Sequence, residues 1–495
     1  MPGRTQQAWV GIDLGTQSVR ALAVAQDGTP LGLTSRPVRS TREGTRHEQD
    51  PASWWAAAAD ALAELTAGLP AHTEVGGVAV DATSGTVAVL ERDGRFAGPG
   101  IMYDDARGAE YVRAAQQAGS ELWERLAYRI QPSWALPTLV QLARTGQLSD
   151  GRTVVHQGDV VARALVGHEV ATDSSQALKT GVDLTTLSWP QEVFDRLDID
   201  TAVLPDVVLP GTLLGNVCVA AAERTGLPVG TSVLAGTTDG CAAQLGAGVL
   251  TPGQWNSVLG TTLVIKGVSS ELLHDETGAV YSHRAPHEQL WLPGGASSTG
   301  AGVLNHLLPG ADLDALSGQA ADLDPGPPCY PLAGAGERFP FVAPEARGFL
   351  GDGPLSVGDP AETFAAVAHG VAFIERLCYD LLDLAGADVT GSVALTGGAA
   401  RNPWWNQLRC NVLGVPAVLP TSAEPALGAA VLAAGSELGV RGAAAALVRV
   451  SATLDPQPAE DQVGPYLRLI DGLASRGWVG PTLAAHAQQR AGASS

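Results

Sequence analysis

Short apolar runs broken by polar, glycine-containing turns dominate the opening of the chain. Residues 8–12 and 19–25 are two such runs, separated by Asp13-Leu14-Gly15-Thr16, and Asp27-Gly28 leads into a third. This pattern predicts hairpin-linked strands, because Asp-Gly suits the turns that join twisted strands. Helical spacing takes over after Asp50-Pro51, an N-cap followed by a proline suited to the first turn, with an apolar face across 54–65. Strand patterns return at 75–80 and 87–90, around the polar break Asp81-Ala82-Thr83-Ser84-Gly85-Thr86. From 121 to 167 helical patterns alternate with loops, and 171–190 reads as connectors without chemistry.

The second half repeats the opening design. An apolar run at 232–236 enters Gly236-Thr237-Thr238-Asp239-Gly240 and a helix of small residues. Residues 255–267 read strand, Gly260-Thr261-Thr262, strand, which suggests an internal duplication with its boundary near 246–253. A long helix is predicted over 360–385, with Phe364, Val367, Ala368, Val371, Ile374 and Leu377 on one face. A strand at 393–396 then breaks at Gly397-Gly398-Ala399-Ala400-Arg401-Asn402, and a helix over 404–413 follows. The expected domains are 1–248, 249–440 and a helical tail, 441–495. In that tail Tyr466, Leu467, Leu469, Ile470 and Leu473 share a helix face, and a polar end at 487–495 is expected to fray.

Composition narrows the class. A chain of 495 residues exceeds one core, and 45% hydrophobic against 16% charged residues is globular. Asp and Glu outnumber Lys and Arg by 51 to 30, which disfavours nucleic acid and anionic membranes as partners. The five cysteines fit no zinc spacing and read as reduced thiols. With neither a signal peptide nor a membrane-length apolar run, a cytoplasmic location is expected.

Candidate chemistry lies at the strand ends. Asp13 closes an apolar strand, where a carboxylate can hold a hydrated Mg²⁺; a hairpin with a polar turn reads equally well. Gly15 would let a ligand approach the backbone, with Thr16 and Gln17 as donors. The break at 81–86 fits a ligand-binding strand end or a tight hairpin with a self-bonded Asp81. Met102-Tyr103-Asp104-Asp105-Ala106-Arg107 could line a polyol site or form a solvated turn. Asp239 reads as an N-cap or as a general base.

Taken in order, these motifs resemble the FGGY carbohydrate kinases: D-x-G-T at 13–16, the break at 81–86, D-x-R at 105–107, G-T-T-D at 236–239, G-T-T at 260–262, G-E-R-F-P at 336–340, G-G-x-x-x-N at 397–402 and A-L-G-A-A at 426–430. The resemblance implies an α/β fold of the actin-like, ribonuclease H-like kind, duplicated into two domains with a cleft between them. It implies ATP and Mg²⁺ as cofactors, with Asp13 and Asp239 toward the metal and Asp239 as catalytic base. Thr16, Gln17, Gly260, Thr261 and Thr262 would surround the ATP phosphates; Gly397, Gly398 and Asn402 would contact the adenosine, with Trp405 as a stacking face or plain core. Asp13, Ser84, Asp105 and Asp239 would bind the sugar.

Within the family the chain looks most like the D-ribulokinases, through VDATSGT (80–86), MYDDAR (102–107), ALKTGVDLTTLSWP (177–190) and VYSHR (280–284). Xylulokinases carry a Met-His pair about where Thr83-Ser84 stand here. D-ribulose is therefore the expected substrate, with D-xylulose, L-ribulose or a pentitol as alternatives. A homodimer is left open. A reading of another class, an actin- or Hsp70-like ATPase acting on a protein partner, predicts hydrolysis indifferent to sugars.

Overall fold

The structure is a computed structural model that describes residues 6–149, 151–321, 323–457 and 462–493. Residues 1–5 and the last two residues of the tail lie outside the described residues. Two compact units emerge: Met1–Gly248 with His283–Leu290 and Ser422–Arg449, and Val249–Ser282 with Trp291–Thr421 and Val450–Ser495. The expected domain 249–440 misses this return of the chain. Ser422–Arg449 folds with the first unit, because its Ala- and Gly-rich helix fits the glycine-lined face of that unit's sheet.

The first unit is built on a six-stranded sheet. Its strands are β1 (Gln6–Leu14), β2 (Ser18–Ala25), β3 (Pro30–Pro37), β4 (Thr73–Ala82), β5 (Leu213–Asn216) and β6 (Ser232–Thr238), in the order β5-β6-β4-β1-β2-β3. The predicted hairpins β1–β2 and β2–β3 are antiparallel, whereas β4 pairs parallel with β1 on one side and β6 on the other. Side chains alternate along a strand. Val10, Ile12, Val78 and Val80 enter one core with Trp54, Ala58, Val161 and Leu165, from the helices Pro51–Ala67 and Gln157–Val166. Asp50 caps the first of these helices through the Ala52 amide, as its sequence predicts.

The opposite face of this sheet carries glycine where a helix crosses it. A Cβ on Gly11 would stand 1.8 Å from the Ala426 carbonyl oxygen. The helix Pro425–Leu438 rides directly on this surface and on the helix Asp239–Gly246, where a Cβ on Gly428 would lie 1.9 Å from the Ala242 oxygen. Glycine is required at these crossings because the obstacles are backbone atoms.

Several local expectations change. The chain does not turn back in a hairpin after Asp81. Val87–Leu90 joins a separate five-stranded sheet, and its partner Thr153–His156 is a strand where only helices and loops were expected. Residues 171–190 are not plain connectors: Asp173 caps the buried helix Ser174–Ala177, whose Gln176 Nε2 donates to the carbonyls of Ala82 (3.1 Å) and Thr237 (3.2 Å). The tail is held as well. Its last helix, Pro481–Ala493, buries Ala487 and pairs Arg490 with the buried Asp380, so packing overrides the polar composition that suggested fraying.

In the second unit a seven-stranded sheet contains β7 (Trp255–Leu259), β8 (Leu263–Gly267), β9 (Tyr281–Arg284), β10 (Trp291–Ser297), β11 (Val393–Thr396), β12 (Ala417–Pro420) and β13 (Val450–Leu454), in the order β9-β10-β8-β7-β11-β12-β13. Its β10-β8-β7-β11-β12-β13 portion has the pairing directions of β3-β2-β1-β4-β6-β5, an antiparallel meander, two parallel additions and an antiparallel edge, although the edge strand comes last in the chain here and before its neighbour in the first unit. The duplication read from the two Gly-Thr turns is thus present in the strand order. The long helix forms over Pro360–Leu384, capped by Asp359. The five cysteines are free thiols, and among the described residues no helix is long and apolar enough to cross a membrane.

The glycine crossing gives a direct test. Gly428→Ala should lower the thermal midpoint, at a cost of ~1–3 kcal/mol or more for overpacking against backbone. Gly442→Ala, on an exposed helix with its nearest atom 3.7 Å away, should leave stability unchanged or slightly raised. Equal midpoints for the two variants would refute the close-packed crossing.

Candidate active site

Three carboxylates converge at the strand ends of the first unit. The parallel register sets Asp13 beside Asp81 on neighbouring strands and Asp81 beside Thr237 on the next, two residues before Asp239. Asp13 and Asp81 are buried and point away from the apolar core that Ile12 and Val80 enter; Asp239 is exposed. Burial, then the Asp239 charge, raises Asp13 to about 6, against the pull of Arg20. Asp81 is driven well above the carboxylate range by burial and by the charges of Asp13 and Asp239. Neither Asp81 oxygen receives a hydrogen bond from a neighbouring donor, so it and Asp13 can bond to each other only if one holds a proton.

Arg20 is the local cation. It lies opposite Asp13 in the β1–β2 register, 3.8 Å from its carboxylate and 3.0 Å from Glu424. Asp239 is the first residue of its helix and Thr238 is the N-cap; the Asp239 Oδ1 accepts the Gly240 amide at 2.6 Å. The N-cap reading of Asp239 is therefore incorrect. Asp81 and Arg20 are the members of this group that the sequence reading passed over. A carboxylate closing an apolar strand, as Asp13 does, was the available signal for Asp81; an arginine inside the run VRALAVA was the signal for Arg20.

The donors suit a hard cation. Mg²⁺ takes oxygen ligands and usually keeps several waters, with one or two carboxylates and substrate phosphates completing its shell. Among the described residues no group of three or more His, Cys, Asp or Glu side chains is placed to hold a metal ion by itself. The Asp81 oxygens, buried without donors, fit a positive charge at this place.

Beyond Asp81 the break is rigidly held. The Thr83 amide and hydroxyl both donate to Gln157 Oε1, at 3.2 and 2.6 Å, and its hydroxyl also meets that of Thr86 at 2.7 Å. Gly85 takes a positive φ of 94°, and Lys179 Nζ donates to the Ser84 carbonyl at 3.1 Å. The Ser84 hydroxyl is buried with no partner. Asp105 is occupied otherwise. One oxygen accepts the Arg107 amide and Nε, the other the His47 amide and an Arg107 terminal nitrogen, at 2.7–2.9 Å, and these partners hold its carboxyl below the usual range despite burial. Its expected sugar contact gains no support, because the carboxylate is already saturated as a tether for its own turn.

Thr16 and Gln17 lie on the β1–β2 turn, Thr16 half-buried and Gln17 exposed, with the Thr16 carbonyl held by Gln49 at 2.7 Å. In the second unit Gly260, Thr261 and Thr262 form the corresponding β7–β8 turn, Thr261 exposed. Gly397 follows β11 with φ 85° and sits against β7, where a Cβ would lie 2.5 Å from the Leu259 oxygen; Gly398 has open space around it. Asn402 is largely occupied: its Oδ1 caps the next helix at the Trp405 amide (3.0 Å) and its Nδ2 donates to Ser317 (2.5 Å). Trp405 is core, fully enclosed against Phe364 with its indole bonded to the Ala368 carbonyl, and offers no stacking face.

Residues 8–246 match the N-terminal domain, and residues 255–436 the C-terminal domain, of the FGGY family of carbohydrate kinases. The chain belongs to this family. It is an ATP-dependent sugar kinase with the two-domain α/β, actin-like fold, and the alternative of an ATPase acting on a protein partner falls away. A xylulose kinase of Streptomyces coelicolor is 29% identical over 447 residues, 88% of this chain and 89% of that protein. A glycerol kinase of Geobacter sp. is 26% identical, across 86% and 89% of the two chains. The crystal structure of xylulose kinase from Rhodospirillum rubrum superposes with a TM-score of 0.82 at 26% identity, covering 94% of this chain and 98% of that one. None of these three bears the ribulokinase name to which the sequence motifs pointed.

The acidic cluster makes a prediction for this FGGY kinase. Asp13 binds its proton more tightly in the native state, at about 6, than in the unfolded chain, at about 3.9. Its contribution to stability is therefore fully present below about pH 4 and is lost as pH rises through 6, a change of up to ~3 kcal/mol. Asp13→Asn, neutral throughout, should melt higher than wild type at pH 8 and nearly level with it at pH 5. A midpoint shift of the same size at both pH values would show that the carboxylate is not strained by burial.

Proposed function

We propose that this kinase phosphorylates a ketopentose at its terminal hydroxyl, with D-ribulose as the substrate that best fits the residues. The observation behind the choice is the Ser84 hydroxyl, buried without a partner beside a Thr83 that is tied down twice. A buried hydroxyl lacking a partner costs stability unless a ligand supplies the hydrogen bond. Xylulokinases, by the family resemblance, carry a Met-His pair about here, so this chain would read the sugar hydroxyls differently.

In this reading Asp239 accepts the proton of the attacking hydroxyl. The sugar oxygen forms the new bond to the γ-phosphorus as the bond to the ADP oxygen breaks, and the proton ends on Asp239. Exposure at the first turn of a helix gives Asp239 access to an acceptor, and Gly240 N–H steadies one of its oxygens. Asp13 and Asp239 would hold Mg²⁺, which when bound neutralises phosphate charge as transfer proceeds. Arg20 draws Asp13 toward its ionised form against the effect of burial. Backbone at Gly260 and Gly397-Gly398, with the hydroxyls of Thr16, Thr261 and Thr262 and the amide of Gln17, would meet the nucleotide; Asn402 would shape that site as a cap.

Two measurements test the assignment. Asp239→Asn should keep ATP binding and lose roughly 10²- to 10⁴-fold in turnover, the usual worth of a positioned base. Retention of more than about a tenth of wild-type turnover would remove it from that role. D-ribulose and D-xylulose differ only in configuration at C3, so discrimination must come from hydrogen bonds that one epimer satisfies and the other leaves unmade. The expected result is a higher kcat/KM for D-ribulose, with Ser84→Ala narrowing the gap by on the order of 1–2 kcal/mol. Preference of the wild type for D-xylulose, the sugar in the names of several relatives, would overturn the substrate; an unchanged ratio in the variant would overturn only the role of Ser84.

A further inference from the structure

Glu337 is buried inside the second unit, only 3% exposed, and among the described residues no basic side chain pairs with it within 4 Å. Its carboxyl group is met by amides and hydroxyls instead. Oε1 accepts the backbone amides of Ser298 (2.6 Å) and Arg338 (2.9 Å), and Oε2 accepts the hydroxyls of Ser297 (2.9 Å), Thr299 (3.2 Å) and Tyr330 (2.9 Å). Such a carboxylate is a strong organiser, because hydrogen bonds to a charged acceptor are roughly twice as strong as neutral ones. Ser297 in turn accepts the Thr299 amide at 3.0 Å, so three consecutive residues are locked around one side chain.

What that locked segment supports is the Gly260-Thr261-Thr262 turn. Ser297 is the register partner of Leu263, and the Leu263 amide donates to the Thr299 carbonyl at 2.8 Å. The Ala301 and Gly302 amides donate to the carbonyls of Gly260 (2.9 Å) and Thr261 (3.2 Å). Contact is too close for any side chain: a Cβ on Gly300 would lie 2.4 Å from the Thr261 oxygen. The turn has one short internal bond of its own, from the Gly260 amide to the Thr262 carbonyl at 3.0 Å. Its remaining shape is imposed from the 297–302 floor.

We propose that Glu337 is the positioning residue of this turn, setting the floor on which Gly260, Thr261 and Thr262 present themselves to ATP. The inference rests on the reading of that turn as part of the phosphate site. Glu337 itself touches no substrate; it acts through Ser298 and Thr299. Replacing it by Gln leaves one carbonyl oxygen and turns the other acceptor into a donor, aimed at hydroxyls that now must reverse their bonds. The floor then shifts and the turn with it, while the sugar-side residues of the first unit are untouched.

The test is made on the full-length enzyme by calorimetry with ATP, alongside the sugar KM and the thermal midpoint. Glu337→Gln should weaken ATP binding by roughly 3- to 30-fold and raise the KM for ATP in parallel, with the KM for the sugar changed less than about twofold. A lowered midpoint with unchanged ATP affinity would overturn the proposal, because a purely structural carboxylate would do that. Should Glu337→Gln fail to fold, Thr299→Val removes a single arm of the cluster; it should weaken ATP in the same direction, and no change would overturn the proposal. Thr262→Val separates the two ideas. If it leaves ATP affinity intact, the phosphate-site reading fails, whereas loss in Thr262→Val with none in Glu337→Gln rejects Glu337 alone.

Discussion

The acidic cluster depends on one constraint, the parallel register of β4 between β1 and β6. That register brings Asp13 level with Asp81 and Asp81 level with Thr237, and it aims them away from the apolar core. Burial and the Asp239 charge raise the proton affinity of both carboxyls, and the charge of Asp13 raises that of Asp81 further. The fold sustains this arrangement because the opposite face of the same strands, through Val10, Ile12, Val78 and Val80, is packed into a solid core. Glycines on the acidic face then let the Pro425–Leu438 helix close over the sheet, bringing Glu424 to Arg20 beside the cluster.

The duplicated units use one strand plan for two purposes. In the first, β1 pairs Asp13 with Asp81; in the second, the equivalent β7–β11 pairing puts Val258 opposite Thr396. The acids are gone, and the strand ends are followed instead by Gly260 and Gly397. Rigidity there comes from a buried ion pair. Arg409 meets Glu375 at 2.7 Å, and Ser257 on β7 bonds to both partners, so the strand that carries the Gly-Thr turn is pinned to two helices. A pair like this contributes less to net stability than to keeping one arrangement, since breaking it would leave an uncompensated buried charge.

Much was legible in the chain because it was local. The hairpins about Asp13 and Gly260, the cap at Asp50, the long helix Pro360–Leu384 and the duplication all follow from spacing, turn residues and apolar periodicity, which act over a few residues. Asp13 and Asp239 were also visible, as polar residues ending apolar runs. The errors share a physical cause. A polar tail becomes a packed helix once Arg490 finds Asp380, and the run at 171–190 becomes structural once Gln176 reaches the carbonyls of Ala82 and Thr237.

By itself, then, the sequence determined the elements, the doubled strand plan and the polar strand ends at which chemistry could sit. Tertiary structure decided which of those polar residues are available. Asp105, Asn402 and Ser84 all looked like ligands; the first two are saturated by Arg107, His47, Trp405 and Ser317, whereas the Ser84 hydroxyl, with the Asp81 carboxyl that was not singled out for the site, is left without protein donors. Spacing along a chain can place a carboxylate at a strand end. Whether its oxygens are already occupied depends on neighbours up to more than a hundred residues away, and only the folded pairing of strands and helices supplies those.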